Sequence, residues 1–96
     1  MNIHLVRTGG FGGMRREARV ETASLPSAER DPLERLVGES GFFALPEKFP
    51  RPKKGADFFT YTVTVEDGGL RHTVEVAQPQ VPENLRPLIR ELSKRL

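Results

Sequence analysis

The stretch FTYTVTVEDGGLRHTVEV, residues 59–76, decides the fold. Each half alternates apolar side chains with polar ones, a period of two that predicts a strand with one apolar face. Between the halves stands Asp67-Gly68-Gly69, and glycine adopts the positive φ of a tight turn at no steric cost. The stretch therefore predicts a β-hairpin. His72 falls in register with the apolar residues and is predicted to be a partly buried, hydrogen-bonded histidine.

An earlier hairpin is predicted nearer the start of the chain. Ile3 and Leu5 belong to its first strand, and Gly9–Gly13, with four glycines in five positions, interrupts it. A second strand is predicted from Met14 to Thr22, with Met14, Ala18 and Val20 on its apolar face. Arg16 falls on that same face, which places the outer part of the strand at a sheet edge.

A helix follows each hairpin. Asp31-Pro32 is a favourable helix start, with Glu34 at capping-box spacing, although the preceding Ser24–Ser27 could begin an earlier turn. Gly41 is a suitable C-terminal stop, and Phe42 and Phe43 are expected to close the helix end against the sheet. The second helix has Asn84 as its expected cap and Pro87 in its first turn. Its apolar stripe comprises Leu85, Leu88, Ile89, Leu92 and Leu96.

The order of these elements predicts an α+β fold, ββαββα, with a four-stranded antiparallel sheet and both helices on one face. The chain has 96 residues, so residues 1–96 are expected to form a single domain. We expect a monomer, although the edge strand leaves the oligomeric state open.

Composition excludes several classes of protein. With 15 basic and 13 acidic residues the net charge is only +2, which disfavours nucleic acid as a partner. The chain has no cysteine, so it cannot form disulfides or thiolate metal sites. No stretch approaches the roughly 20 apolar residues of a membrane span, so no membrane association is expected. The N-terminus lacks a signal-peptide pattern, and we expect a cytoplasmic protein, with export by another route left open.

No catalytic or metal-binding pattern is present. The two histidines, His4 and His72, lie in different predicted strands, and the serines fit neither a GxSxG elbow nor an SxxK pattern. Gly9–Gly13 matches no phosphate-binding motif and precedes a strand rather than a helix. We therefore expect no enzyme activity and no cofactor.

Two segments could form surfaces for a partner. Phe11 stands between two pairs of glycines at a loop tip, where it could either fill a partner's pocket or simply lie in a flexible turn. Residues 46–55 carry three prolines and four basic residues, which favours an extended, solvated connection. The alternative is a nucleic-acid surface that uses Arg51, Lys53 and Lys54.

Taken in order, several blocks of the chain resemble the emfourin family, small bacterial inhibitors of thermolysin-like zinc metalloproteases that are encoded near protealysin-like enzymes. The blocks are TGGFGG (8–13), LP (25–26), LERLV (33–37), GFFALP (41–46), ADFFTYTVTVEDGG (56–69), HTV (72–74) and VPENLRPL (81–88). The order and spacing of the blocks carry the resemblance, which extends over nearly the whole chain.

The resemblance implies a protein that inhibits a thermolysin-like, protealysin-like metalloprotease by placing preformed loops in its active-site cleft. These enzymes favour a bulky apolar residue just after the scissile bond, and Leu25 followed by Pro26 would offer one. The candidate protease-binding residues are Leu25, Pro26, Phe11 with its neighbours Gly10 and Gly12, and Phe49. Two alternatives remain: Leu25 could instead anchor the start of the helix in the core, and the fold could serve a non-inhibitory interaction module.

Overall fold

The computed structural model describes residues 1–10, 13–52 and 58–96. Its strands and helices follow the predicted order ββαββα, so the predicted α+β fold is confirmed. The elements are β1 (Asn2–Gly9), β2 (Arg16–Glu21), α1 (Ser27–Glu39), β3 (Phe59–Asp67), β4 (Leu70–Ala77) and α2 (Arg86–Ser93). No helix in the described ranges is long and apolar enough to cross a membrane.

The four strands form one sheet in the order β2-β1-β3-β4, and every neighbouring pair is antiparallel. The β3–β4 hairpin pairs Asp67 with Leu70 around the two glycines, as the sequence predicts. Gly68 has φ 61°, the positive value that a two-residue hairpin turn requires. Gly9 pairs with Phe59 at one end of the sheet, and Asn2 pairs with Glu21 at the other.

The core lies between one face of the sheet and the two helices. Alternate residues of the strands point inward and are almost completely buried, among them Ile3, Leu5, Val63, Val65, Val74 and Val76. The helices cover them with Leu33 and Val37 of α1 and Leu88, Ile89 and Leu92 of α2. The other face is uncovered and carries mainly threonine and charged side chains.

Helix α1 begins at Ser27, so the start predicted at Asp31 is wrong and the earlier alternative is confirmed. The N–H groups of Glu29 and Arg30 both donate to the Pro26 carbonyl at 2.9 Å, which opens the helix four residues before Asp31. Pro32 consequently lies inside the helix, where it cannot donate a backbone hydrogen bond. Gly41 follows the helix with φ 62°, the left-handed conformation expected of a C-terminal stop.

Helix α2 begins without a side-chain cap, so the cap predicted at Asn84 is wrong. Asn84 lies inside a short 3₁₀ turn, Glu83–Leu85, that leads into the helix. The N–H groups of Leu85 and Arg86 donate to the Pro82 carbonyl at 3.0 and 3.2 Å, so a backbone oxygen replaces the expected side chain. Pro87 lies in the first turn of the helix, as predicted.

Several predicted core positions lie at the surface. Strand β2 begins only at Arg16, and Met14, which the alternation places on the apolar face, is 62% exposed. Phe42 is buried at 1%, whereas its neighbour Phe43 is 37% exposed because only one of two consecutive residues of the turn can face the core. Leu70 is 61% exposed because it lies beside the hairpin turn, beyond the helices.

The free edge of β4 is partly covered by residues 47–49. The Glu75 N–H donates to the Glu47 carbonyl at 2.8 Å, and the Phe49 N–H donates to the Glu75 carbonyl at 3.2 Å. Lys48 forms a parallel bridge with Glu75. The first part of the basic, proline-rich segment is thus hydrogen-bonded to the sheet rather than a freely solvated connection, and residues 53–57 lie outside the described part of the chain.

Candidate functional site

The segment from Glu21 to Pro26 joins β2 to α1 in a tight, internally bonded turn. Residues Thr22–Ser24 form a 3₁₀ turn that the Glu21 carboxylate caps by accepting from the Ala23 N–H at 3.3 Å. The Leu25 N–H donates to the Thr22 carbonyl at 3.0 Å. Leu25 (φ −93°, ψ 149°) and Pro26 (φ −57°, ψ 149°) follow in extended conformation. The turn therefore presents a short extended segment at the surface.

Thr22 attaches this turn to the rest of the molecule. Its side chain is fully buried, and its N–H donates to the Met1 carbonyl at 2.9 Å. Its hydroxyl lies 2.6 Å from Glu34 Oε2 and 3.2 Å from the Met1 carbonyl oxygen. A hydroxyl carries one proton, so it donates to the closer and charged carboxylate of Glu34. These bonds join the turn to the residue directly before β1 and to the middle of α1.

Leu25 both packs inward and reaches the surface. Its side chain is half-buried and contacts the main core cluster, while Pro26 is exposed. The contact with the core bears out the alternative that Leu25 anchors the start of α1, but part of the side chain remains accessible. An apolar group that is held on one side and open on the other is suited to contact a partner without first being ordered.

The glycine-rich loop after β1 is closed by backbone hydrogen bonds. The Gly10 N–H donates to the Phe58 carbonyl at 3.2 Å, and the Gly13 N–H donates to the Gly10 carbonyl at 3.3 Å. Gly10 has φ 73°, and a side chain at this position would collide with Cε1 of the Phe59 ring. Only glycine fits there. Phe11 and Gly12, two of the candidate site residues, lie outside the described residues.

The structure does not bring the glycine loop and the Leu25 segment together. Gly10 follows the end of β1 that pairs with Phe59, whereas Leu25 follows the end of β2 that pairs with Asn2. The eight residues of β1 separate these positions, a distance of roughly 24 Å at about 3.4 Å per residue. Gly10 and the Leu25-Pro26 segment thus lie at opposite ends of the sheet.

Phe49 lies in a third place, on the covered edge of β4. It is half-buried against the core, and its backbone is bonded to Glu75. Its ring therefore contributes to packing at the β4 edge of the sheet.

The histidines occupy separate environments. His4 lies on the uncovered face, where its Nε2 is 3.2 Å from Glu17 Oε2, and Arg15 donates to the same oxygen at 3.0 Å. The hydrogen bond from His4, and then the positive charge of Arg15, hold the pKa of Glu17 below its ordinary value. His72 Nε2 lies 2.6 Å from the Leu45 carbonyl oxygen, as expected for a partly buried sheet histidine. Within the described ranges, no three histidine or acidic side chains cluster closely enough to hold a metal ion.

Sequence reasoning missed Thr22 and Arg7 as residues of interest. Arg7 lies at an inward position of β1 and continues the row of Ile3 and Leu5, and Thr22, directly after β2, continues the row of Ala18 and Val20. The sequence does contain a signal for both residues, because each is a polar residue at a position where the alternation predicts an apolar side chain.

Comparison with known proteins assigns the chain to one family. The family model described as Emfourin matches residues 5–93, which include every described strand and helix in whole or in part. Neither the curated proteins nor the solved structures gave a match.

Proposed function

The chain belongs to the Emfourin family, and from this premise we propose that it inhibits a thermolysin-like zinc metalloprotease, with protealysin-like enzymes as the expected targets, by inserting the Leu25-Pro26 segment into the active-site cleft. The observation that carries the proposal is the attachment of this segment. Thr22 of the preceding 3₁₀ turn is bonded to Met1, directly before β1, and to Glu34 of α1. Helix α1 holds the segment from the other side.

Such attachment favours tight binding because the segment is already ordered before it meets the protease. Ordering a free backbone costs about 1–2 kcal/mol per residue, and a flexible loop would lose that free energy on binding. The extended φ and ψ of Leu25 and Pro26 also suit a groove that accepts extended peptides. Leu25 would occupy the pocket for the residue that follows the scissile bond, which in this enzyme class favours bulky apolar side chains.

The same contacts explain how the segment would resist hydrolysis. With Leu25 in that pocket, the bond to be cleaved is Ser24–Leu25. The Leu25 nitrogen, which would become the leaving amine, already donates its proton to the Thr22 carbonyl at 3.0 Å. If the bond were cut, Thr22 and helix α1 would hold the two new ends in place, so resealing the bond would compete with release of the products.

The proposed mechanism is occlusion of the cleft rather than capture of the catalytic zinc. His4 lies on the uncovered face of the sheet, and His72 is bonded to the Leu45 carbonyl. Neither imidazole lies on the Leu25 turn, and the Glu21 carboxylate is engaged in capping the turn.

The test is a titration of the protein into a thermolysin-like protease that is hydrolysing a peptide substrate, repeated with an unrelated metalloprotease. We expect complete inhibition of the first enzyme at one chain per active site and none of the second. Leu25→Ala should weaken inhibition about 10- to 100-fold, since it removes roughly 2 kcal/mol of apolar contact. Thermal unfolding of the variant separates this effect from loss of the core contact that Leu25 also makes.

Matched variants test which of the two ends of the sheet binds the protease. Met14→Ala also truncates a flexible apolar side chain, 62% exposed near the glycine loop, and should inhibit like the wild type. If Phe11→Ala abolishes inhibition while Leu25→Ala inhibits normally, the protease binds the glycine-loop end and the proposed site is wrong. A wild-type chain that inhibits no thermolysin-like enzyme would instead indicate a non-inhibitory interaction module.

A further inference from the structure

A cleft of about 450 Å³ lies between helix α2 and the end of the sheet near the glycine loop. Three arginines line it: Arg7 of β1, and Arg86 and Arg90 of α2. Tyr61, Gln78 and Ser93 also contribute to its walls. The cleft is thus built from two strands, a helix and the turn that follows β4, and no residue of the Leu25 turn belongs to it.

Arg7 is the unusual member of this set. It continues the inward row of Ile3 and Leu5, on the face of the sheet that the helices cover, and it is half-buried. Its guanidinium carbon lies 4.3 Å from the centre of the Phe59 ring. This cation–π contact holds the flat face of the guanidinium against the ring and leaves its N–H edge available to a ligand.

The positive charges around the cleft oppose one another. Arg86 and Arg90 are four residues apart on α2, a spacing at which like charges destabilise a helix. Arg7 pairs directly with Arg16 across the β1–β2 ladder, which is also unfavourable.

Neutralising contacts are scarce at this site. Among the residues that the structure describes, no carboxylate lies within 4.0 Å of Arg7, Arg86 or Arg90; the recorded ion pairs involve other side chains. Arg86 Nε donates to the Val81 carbonyl at 3.3 Å, which orients the side chain without neutralising it. An anionic ligand would relieve the repulsion.

We propose that this cleft binds an acidic peptide segment of a protein partner, with side-chain carboxylates pairing to Arg7, Arg86 and Arg90. Guanidinium groups bind carboxylates through two parallel hydrogen bonds, which gives both strength and orientation. The Ser93 hydroxyl and the amide NH₂ of Gln78 are polar groups of the kind that bond a peptide backbone, whereas Gln78 Oε1 already accepts from the Phe59 N–H at 3.3 Å. The surface lies at the end of the sheet opposite Leu25, so the inference does not depend on protease inhibition.

The aromatic residues argue for a peptide rather than a nucleic acid. Nucleic-acid surfaces combine cations with accessible rings on which bases stack. Here Arg7 covers one face of Phe59, and Tyr61 is only 8% exposed. The net charge of +2 also gives no extended basic field for a phosphate backbone.

Fluorescence anisotropy of a labelled peptide of alternating glutamate and leucine tests the proposal. The full chain should bind it saturably at low ionic strength, and Arg86→Gln combined with Arg90→Gln should weaken binding at least tenfold. Arg7→Gln, which changes the arginine of β1, should also weaken peptide binding at least tenfold. The matched control is Arg19→Gln combined with Arg71→Gln, which removes the same charge from the uncovered face and should change binding less than threefold.

Three results with the peptide would overturn the proposal: no saturable binding, an equal loss in the control variant, or complete displacement of the peptide by millimolar inorganic phosphate. An equal loss in the control variant would indicate nonspecific attraction to net charge. Displacement by phosphate would indicate a site for small oxyanions. A labelled single-stranded oligonucleotide that bound more tightly than the peptide would also contradict the inference. Arg86 and Arg90 are exposed, so these variants should fold, and their thermal midpoints verify this.

Discussion

Thr22→Val offers the sharpest test of how the Leu25 segment is held. Valine has nearly the same shape as threonine, so the substitution removes the hydroxyl without opening a cavity. The bond from the Thr22 N–H to the Met1 carbonyl is retained. What is lost is the hydroxyl that donates to Glu34 Oε2 at 2.6 Å.

The expected cost follows from this contact. A hydrogen bond to a charged group contributes about 1.5–3 kcal/mol to stability. Glu34 is only half-buried, so water can partly replace the lost donor and the lower part of that range, about 1.5–2 kcal/mol, applies. For a domain of this size each kcal/mol corresponds to roughly 4–8 °C, so the thermal midpoint should fall by about 6–16 °C.

The assay is thermal unfolding followed by circular dichroism, together with protease inhibition well below the midpoint. Thr62→Val, on the uncovered face, is the matched control and should leave the midpoint unchanged or slightly raised, because valine is favoured in strands. Thr22→Ser keeps the hydroxyl and should recover most of the stability. If Thr22→Val unfolds within 2 °C of the wild type, the Glu34 contact does not hold the turn. If it unfolds early yet inhibits normally, preordering of the segment does not govern inhibition.

Two further predictions concern residues near the glycine loop. Gly10→Ala should destabilise the fold by about 1–3 kcal/mol, because at a positive φ the new Cβ would collide with the Phe59 ring. Gly38→Ala, with open space around it inside α1, should instead stabilise the fold by about 0.5–1 kcal/mol. Equal midpoints of the two variants in chemical denaturation would contradict this prediction. Burial raises the pKa of Tyr61 and the charge of Arg7 opposes that rise, so the absorbance of this single tyrosine at 295 nm should titrate above pH 10. The stability linked to Tyr61 is then complete below pH 10 and lost as the pH rises through the folded-state pKa. Arg7→Gln should move the titration to still higher pH, and an unchanged midpoint would mean that the two groups do not interact.

The β3–β4 hairpin could be predicted because its determinants are local. The alternation of residues 59–76 sets the faces, and the glycines set the turn, so no distant contact is needed. The order of the remaining elements also followed from local patterns. The start of α1 did not, because two prolines compete for the first turn and the choice of Ser27 depends on the carbonyl of Pro26.

The candidate site was less accessible to sequence reasoning. Only the family resemblance distinguishes Leu25 and Pro26, since a leucine before a proline is common at the start of helices. What distinguishes this segment is its attachment through Thr22. The hydrogen-bond partners of Thr22 are Met1, 21 residues earlier in the chain, and Glu34, 12 residues later. Contacts over such separations are decided by the whole fold and leave no periodic pattern in the sequence.

The sheet itself makes the two proposed surfaces independent. The Leu25 segment and the arginine cleft lie at opposite ends of β1, which is a central strand paired along its length with both β2 and β3. Arg7 stands five residues from Asn2 along β1, roughly 17 Å at about 3.4 Å per residue, which exceeds the distance within which perturbations usually couple. This separation also exceeds the Debye length of about 8 Å, beyond which exposed charges are largely screened at physiological ionic strength. Free energies of binding at the two ends should therefore add, so that binding of an acidic partner at the arginine cleft should leave the affinity for a protease unchanged.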